Sequence, residues 1–143
     1  MVRRESVDIN LEWMGGKRSE AEIRQFTVSI DNPKECGGGD TGPRPTDLLL
    51  ASLGGCFIIG FARIAEEMRI SLKGVRLSIS GVKERGETPR FTHITVSIQP
   101  EVENIDYERI PRLTGLAEKY CTVANTLKNK TKISFRIHSP EQS

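Results

Sequence analysis

The most hydrophobic stretch of the chain is LLLASLGGCFIIGFA, residues 48–62, in which every residue is apolar or small. Two glycines, Gly54 and Gly55, stand directly before Cys56. A run of this kind predicts a helix, apolar on nearly all sides, that extends to about Met68. Each glycine costs a helix roughly 1 kcal/mol relative to alanine. We therefore expect a compensating reason for them, namely the close approach of another backbone.

The composition is that of one water-soluble domain. The 143 residues are 36% hydrophobic and 28% charged, enough for a substantial core, and predict a single domain over residues 1–143. The net charge is +2 and the basic residues are scattered, which argues against a nucleic-acid partner. The N-terminus turns polar at once, which argues against a signal peptide, and the apolar run is shorter than the roughly 18 to 20 residues of a membrane span. We predict a cytoplasmic protein with no membrane partner.

Alternating apolar residues predict β-strands on both sides of the apolar helix. The predicted fold class is α/β (α+β), with the element order ββ-α-ββ-α-α-β. The segment between the second strand and the helix contains four glycines and two prolines and is predicted to be loop throughout. A second helix either has a separate first turn or begins at Pro111. The predicted elements are strands over 6–13, 23–30, 75–79, 91–98 and 132–138, a loop over 34–45, and helices near 106–120 and 122–129.

The apolar helix predicts a partner subunit. Five or six strands from a chain of this length are too few to cover a helix that is apolar on all sides. The small residues of the run form a flat strip that lets a second backbone approach. We therefore expect a homodimer in which each long helix packs against that of the partner.

The chain has three cysteines, Cys36, Cys56 and Cys121, and no CxxC pair. Neither His93 nor His138 stands at a metal-ligand spacing from them, so no metal and no cofactor is predicted. In a reducing compartment such thiols are either inert core residues or redox-active ones, and the residues alone leave both interpretations open. Cys36, in the glycine-rich loop, is interpreted as an incidental surface thiol.

Two motifs together resemble a known family. GPRPTDLLLASLGGC, residues 42–56, is followed by AEKYCTVANTL, residues 117–127, and the pair looks like the OsmC/Ohr family of osmotically inducible and organic hydroperoxide resistance proteins. The resemblance extends from Trp13 to Ile137. It implies an OsmC-like fold, with antiparallel sheets packed around long central helices in an intertwined homodimer, and two thiol sites at the interface.

The resemblance also implies a thiol-dependent peroxidase that reduces organic hydroperoxides. Cys56 falls at the position of the peroxidatic cysteine and Cys121 at that of the resolving cysteine, which implies a Cys56–Cys121 disulfide regenerated by an external thiol or dithiol reductant. From the residues themselves, we expect a helix to begin at Cys121 and to favour a thiolate there. The alternative is a non-enzymatic dimer that binds a small ligand or senses redox state through the same apolar cysteine pocket.

Charged partners of the first thiol are also implied by the resemblance. In Ohr-like members an arginine holds that thiol as a thiolate, and a glutamate ten residues before the cysteine orients the arginine. That place is Thr46 here, and the neighbouring acid is Asp47, a departure that favours an OsmC-like branch over Ohr proper. Arg18 is the predicted cation. The remaining candidates for that role are Lys17, Arg24 and Arg44.

Overall fold

The structure is a computed structural model that describes residues 2–129 and 131–138. It is a mixed α/β structure with antiparallel sheets, as the sequence predicts. The chain divides into two compact units, residues 1–51 and 52–143, which are described separately below. The single-domain interpretation stays a prediction.

The first unit contains a three-stranded antiparallel sheet. The sequence predicts only two strands here, and that prediction is wrong. A tight reversal at Arg24, with φ of 54°, interrupts the predicted strand over 23–30 and separates two observed strands. A turn at Gly15 and Gly16, with φ of 96° and 57°, separates the first two strands. Only Ala21 is buried in the additional strand, so its apolar periodicity was too weak to reveal it. The strands are β1 (Asn10–Trp13), β2 (Ser19–Ile23) and β3 (Phe26–Ile30), in the order β1-β2-β3.

The loop that follows β3 is organised around the buried carboxylate of Asp31. Its oxygens accept hydrogen bonds from the Thr41 hydroxyl at 2.7 Å, the Asn32 N–H at 2.7 Å, and the N–H groups of Gly39 and Thr41 at 3.2 Å. These bonds, led by that of the Thr41 hydroxyl, lower the pKa of Asp31 to about 2. A short 3₁₀ turn, Lys34–Cys36, interrupts a segment predicted to be loop throughout.

The predicted long helix is present as α1, Pro45–Glu67, a span of 23 residues. By length and composition alone this helix could cross a membrane, which corrects the conclusion that the run is too short. A core helix of a water-soluble protein meets the same criterion, and one such helix is weak evidence for a span.

The second unit contains a long two-stranded antiparallel sheet and two further helices. The predicted strand pair and both helices are confirmed. The turn before α2 (Ile110–Lys119) is separate from that helix, which is one of the two predicted alternatives. That turn is a 3₁₀ helix, Asn104–Arg109, and Pro111 lies in the first turn of α2. The elements are β4 (Leu72–Glu84), β5 (Arg90–Val102), α2 (Ile110–Lys119) and α3 (Thr122–Lys128).

The core of the second unit lies between α1 and α2. Phe61 and Leu113 are fully buried, and the rings of Phe57 and Phe61 are 5.6 Å apart. A guanidinium nitrogen of Arg109, before α2, donates to the carbonyl of Met68, just beyond α1, at 2.5 Å. The packing and this hydrogen bond join α1 to α2 within the second unit.

Two predictions about burial are not met within one chain. The predicted last strand is wrong, since residues 131–138 have no regular secondary structure and Ile133, Phe135 and Ile137 are 76%, 94% and 99% exposed. A strand needs a neighbouring edge, and the described residues provide none beside this segment. The predicted enclosure of α1 is also incomplete, because Ile59 is 72% exposed.

Candidate active site

The two cysteines that the sequence singled out form a hydrogen-bonded thiol pair. Cys56 lies in the middle of α1 and is partly buried, whereas Cys121 precedes α3 and is only 2% exposed. Both are reduced, and the Cys121 thiol donates a hydrogen bond to the Cys56 sulfur. Two residues that are 65 positions apart in the sequence therefore have interacting side chains.

The corner between α2 and α3 holds Cys121 in place. The Cys121 N–H donates to the carbonyl of Glu118 at 3.2 Å, and the Tyr120 N–H donates to that of Leu116 at 3.1 Å. The side-chain amide of Asn125, one turn into α3, donates to the carbonyl of Lys119 at 2.9 Å. Because these bonds satisfy the last carbonyls of α2, the chain reverses at Cys121 and α3 begins with its N–H groups beside Cys56.

The surroundings of Cys56 favour its thiolate. Burial raises the pKa of this thiol, but hydrogen bonds from the Val123 N–H, the Cys121 thiol and the Thr122 N–H outweigh burial. The net result is a pKa of Cys56 below its ordinary value. A thiolate, not a thiol, is the nucleophile, so this shift is in the direction that reactivity requires.

Cys121 is shifted the other way. Burial raises the pKa of its thiol, the Ala124 N–H opposes that effect, and the neighbouring Cys56 raises the pKa further. The expectation of a favoured thiolate at Cys121 is therefore wrong. The N–H groups of Ala124 and Val123 do lower the pKa of Cys121, as a helix beginning there predicts, but burial and the neighbouring Cys56 outweigh them. At Cys56 the N–H groups of Val123 and Thr122 outweigh burial.

The predicted charged residues lie in the first unit, where each has a partner. Arg18 donates to Glu20 at 2.6 Å and to the Ser29 hydroxyl at 3.5 Å, while its Nε is buried without a hydrogen-bond partner among the described residues. Asp47 accepts three hydrogen bonds from Arg44, one from the backbone N–H and two from the guanidinium. Among the described residues, backbone N–H groups and a thiol are the groups that lower the pKa of Cys56. The roles of Arg18 and Asp47 stay predictions.

The other candidates are placed as follows. Arg24 stacks over the ring of Phe26, with its guanidinium carbon 5.4 Å from the centroid. Cys36 is exposed, as predicted for a surface thiol. Within residues 2–129 and 131–138, no three histidine, cysteine or acidic side chains are grouped as metal ligands would be.

An apolar groove of about 520 Å³ lies in the second unit beside the thiol pair. Two of its wall residues, Leu53 and Phe57, flank Cys56 on α1, and a third, Ala124, follows Val123 on α3. The sequence predicts an apolar pocket at Cys56, and the α1 wall of this groove agrees with that prediction. The walls from β5, α2 and α3 were not identified, because they come from distant parts of the chain. The remaining lining residues are Phe91, Thr92, His93, Ile94, Val96, Ile98, Thr114, Glu118, Leu127 and Lys128.

The two glycines before Cys56 have different surroundings. A Cβ on Gly54 would lie 2.7 Å from Cδ1 of Ile79, so the absent side chain lets β4 of the same chain pack against α1. A Cβ on Gly55 would meet nothing within 4 Å. The contact at Gly54 is thus with side chains of the same chain and not with the second backbone that the sequence predicts, whereas Gly55 leaves space for another molecule.

Comparison with known proteins gives the family. The family described as OsmC-like protein matches residues 37–136, well over half of the chain. The chain belongs to the OsmC-like protein family. A relative, protein YhfA of Escherichia coli strain K12, is 31% identical over 98 residues, which cover 67% of this chain and 72% of YhfA.

Solved structures of other proteins with this fold are more distant in sequence. An OsmC-like protein from Mycoplasma pneumoniae has a TM-score of 0.79 at 19% identity, with 88% of this chain and 89% of that chain covered. An organic hydroperoxide resistance protein OsmC from Legionella pneumophila has a TM-score of 0.67 at 18% identity, with 89% and 92% covered. These two likenesses concern the fold.

Proposed function

We propose that this protein is a cysteine-based peroxidase that reduces organic hydroperoxides. The observation that supports it most is the hydrogen-bonded thiol pair with opposite pKa shifts, lowered at Cys56 and raised at Cys121. Such a pair supplies one nucleophile and one protonated thiol in reserve. Membership of the OsmC-like family, with an organic hydroperoxide resistance protein among the proteins of the same fold, is consistent with a redox function in stress.

The proposed reaction begins at Cys56. Its thiolate attacks the distal oxygen of the hydroperoxide, the O–O bond breaks, and the alkoxide leaves and takes up a proton to become the alcohol. Cys56 is then a sulfenic acid. The sulfur of Cys121 attacks the sulfenic sulfur, the S–O bond breaks, and hydroxide leaves as water with the thiol proton. The product is a Cys56–Cys121 disulfide.

An external dithiol completes the proposed cycle by thiol–disulfide exchange. One of its thiolates attacks the protein disulfide, its second thiol resolves the mixed disulfide, and both cysteines return to the reduced form. The hydroperoxide is reduced by two electrons to an alcohol and water, and the dithiol is oxidised by the same two electrons. No other cofactor takes part in these steps.

Two predicted residues enter the proposal as contributors from the first unit. Arg18 is proposed to hold Cys56 as a thiolate, and Asp47 to position a cation, its observed partner being Arg44. The unpartnered, buried Nε of Arg18 supports a further contact for that side chain. The measurement for this part is the rate at which Cys56 reacts with hydroperoxide in Arg18→Lys and Arg18→Ala variants.

A homodimer in the cytoplasm is proposed as the working form. The large exposed apolar side chains support a partner subunit, in particular Ile59 on α1 and Trp13 on β1, which are 72% and 74% exposed. Apolar side chains of this size and exposure suit an interface with a partner subunit. The reduced state of both thiols in the proposed resting enzyme suits a reducing compartment.

A hydroperoxide-consumption assay with dithiothreitol tests the proposed activity. Wild type is expected to reduce cumene hydroperoxide and tert-butyl hydroperoxide over many turnovers, and Cys56→Ser is expected to abolish turnover. Cys36→Ser is the matched control and should retain wild-type rates, because Cys36 is exposed in a loop. Loss of activity in Cys36→Ser with activity retained in Cys56→Ser would contradict the assignment.

A non-enzymatic ligand-binding or redox-sensing dimer is the second candidate. The observation in its favour is that the apolar groove is lined by neither cysteine. A protein of this class would keep its ligand affinity in Cys56→Ser and would consume no more than one equivalent of hydroperoxide even with excess dithiol.

A further inference from the structure

Phe91 ends the β5 wall of the groove because of a bulge in the sheet. The register pairs Val82 with His93 and Lys83 with Phe91, so Thr92 is an additional residue on β5. Side chains alternate between the faces of a strand, and one additional residue returns Phe91 to the face that carries Ile94. Phe91 is therefore half-buried at the end of the wall instead of pointing to the opposite side of the sheet.

The ring of Phe91 rests on Gly81 of the neighbouring strand. A Cβ on Gly81 would lie 2.7 Å from Cε1 of the ring and 2.8 Å from Cδ1, closer than two carbons can approach. Gly81 has no positive φ, so the backbone conformation does not require glycine there. A larger residue at position 81 would push the ring away from the sheet, towards the space that Ile94 and Val96 also face.

The groove and the thiol pair share two elements. Leu53 and Phe57 line the groove from positions three before and one after Cys56, and Ala124 lines it directly after Val123, whose N–H binds the Cys56 sulfur. The volume of about 520 Å³ is within the range of small-molecule sites, roughly 300 to 1,000 Å³. An apolar chain in the groove would therefore lie against the two helices that carry Cys56 and the N–H groups bound to it.

We propose that Phe91, seated on Gly81, sets the length of the apolar chain that the groove accepts, and that this chain is the organic part of the hydroperoxide reduced at Cys56. That the chain belongs to a hydroperoxide rests on the proposed function. The length limit set by Phe91 concerns only the groove, so the two are testable separately.

Reciprocal variants test the end of the groove in turnover. Phe91→Ala should raise kcat/KM for long straight-chain hydroperoxides roughly tenfold, the gain for about two more buried methylenes, and leave tert-butyl hydroperoxide within about twofold of wild type. Gly81→Ala should do the opposite, since the methyl displaces the ring into the groove. The double variant should behave as Phe91→Ala, because without the ring the methyl has nothing to displace. Val82→Ala, at a 59% exposed neighbour, is the matched control.

A binding measurement separates this inference from the peroxidase activity. Each variant is made in the Cys56→Ser background and titrated calorimetrically with 1-hexanol, 1-decanol and 1-tetradecanol. The longest alkanol that binds should be longer with Phe91→Ala and shorter with Gly81→Ala than with Cys56→Ser alone. That shift supports the role of Phe91 even if no hydroperoxide is turned over. Turnover with an unchanged chain-length profile in every variant would overturn the inference and leave the proposed function standing. If the alkanols bind to no variant and the Phe91→Ala dimer dissociates more readily than wild type, the inference about chain length is overturned. The groove would then hold a second copy of the chain.

Discussion

The Cys121 thiol donates a hydrogen bond to the sulfur of Cys56, although the two residues are 65 positions apart in the chain. The bond favours negative charge on Cys56 and disfavours it on Cys121. Because the disulfide can form only after one sulfur has been oxidised, this asymmetry supports an order in which Cys56 reacts first. The N–H groups of Thr122 and Val123 at the start of α3 act in the same direction.

The alkylation of Cys56 should report this hydrogen bond. Its pKa is lowered, so the midpoint of the rise in rate with pH, measured with iodoacetamide, should lie below that of the same thiol without these hydrogen bonds. Cys121→Ala removes a donor and should slow alkylation at pH 7 by roughly two- to tenfold, the range for one net hydrogen bond. Cys121→Ser keeps a donor and should stay close to wild type. Peptide mass spectrometry resolves Cys56 from Cys36, and equal rates in the two variants would contradict a donor role.

One equivalent of organic hydroperoxide should convert the pair into a disulfide. We expect peptide mapping to find Cys56 linked to Cys121 with Cys36 still reduced, because Cys36 is exposed in a loop of the first unit. In Cys121→Ser the first turnover should proceed and leave Cys56 as sulfenic acid, which excess peroxide drives to sulfinic acid. Failure of that first turnover would make Cys121 part of the attacking site.

The exposed side of α1 should carry the dimer contact. Ile59→Lys places a charge in the proposed interface and should raise the dimer dissociation constant by roughly a hundredfold or more, as expected for an unpaired buried charge. Sedimentation at micromolar concentration measures this. Ile105→Lys, at a site 83% exposed in the 3₁₀ turn before α2, is the matched control. Wild type that sediments as a folded monomer would contradict the dimer and its predicted interface of more than about 2,000 Å².

Much of the fold was predictable because its strongest patterns are local. The apolar run predicted the bounds of α1 within a few residues, and the alternation of apolar residues along β4 and β5 predicted both strands. β2 was missed because its sequence, SEAEI, presents only two apolar residues. The segment 131–138 has strand periodicity and yet forms no strand, since periodicity specifies a face to be buried and the partner edge must come from elsewhere.

The chemistry was less predictable because it depends on contacts between distant segments. The cysteine pair was identified through the family resemblance, and a helix start at Cys121 was foreseen, yet the burial and the neighbouring thiol that outweigh it there were not. The N–H groups of Thr122 and Val123 also act on Cys56, and sequence spacing contains no information on that. The seat of Phe91 on Gly81 likewise depends on a bulge that no turn residue marks.

The carboxylate of Asp31 should make the first unit sensitive to acid. Its pKa in the fold is about 2, below the ordinary value of about 3.9, so its stabilising contribution is complete above about pH 4 and is lost as the pH falls towards 2. Asp31→Asn should lower the urea midpoint at pH 7 and flatten its decline below pH 4. Asp40→Asn, an exposed neighbour, should keep the wild-type profile. An unchanged acid profile in Asp31→Asn would show that the loop does not depend on this charge.

Substitution of the two glycines before Cys56 should separate intramolecular packing from packing against a partner. Gly54→Ala forces Ile79 to move, and overpacking of roughly 1 to 3 kcal/mol less a helix gain of about 1 kcal/mol leaves a net loss of about 1 kcal/mol. In an Ile79→Val background, which lacks Cδ1, the same substitution should cost less or become favourable. Chemical unfolding of the four variants measures this coupling.

Gly55→Ala tests whether a partner subunit packs against the exposed side of α1. Within one chain its Cβ meets nothing, so helix propensity alone predicts a gain of about 1 kcal/mol. If a second backbone packs there, as we propose, the methyl should block it and raise the dimer dissociation constant roughly tenfold or more. Unfolding measured across a range of protein concentrations distinguishes the two, because only a weakened dimer loses stability on dilution. A variant more stable than wild type at every concentration would mean that the glycine beside Cys56 faces water and not a partner helix.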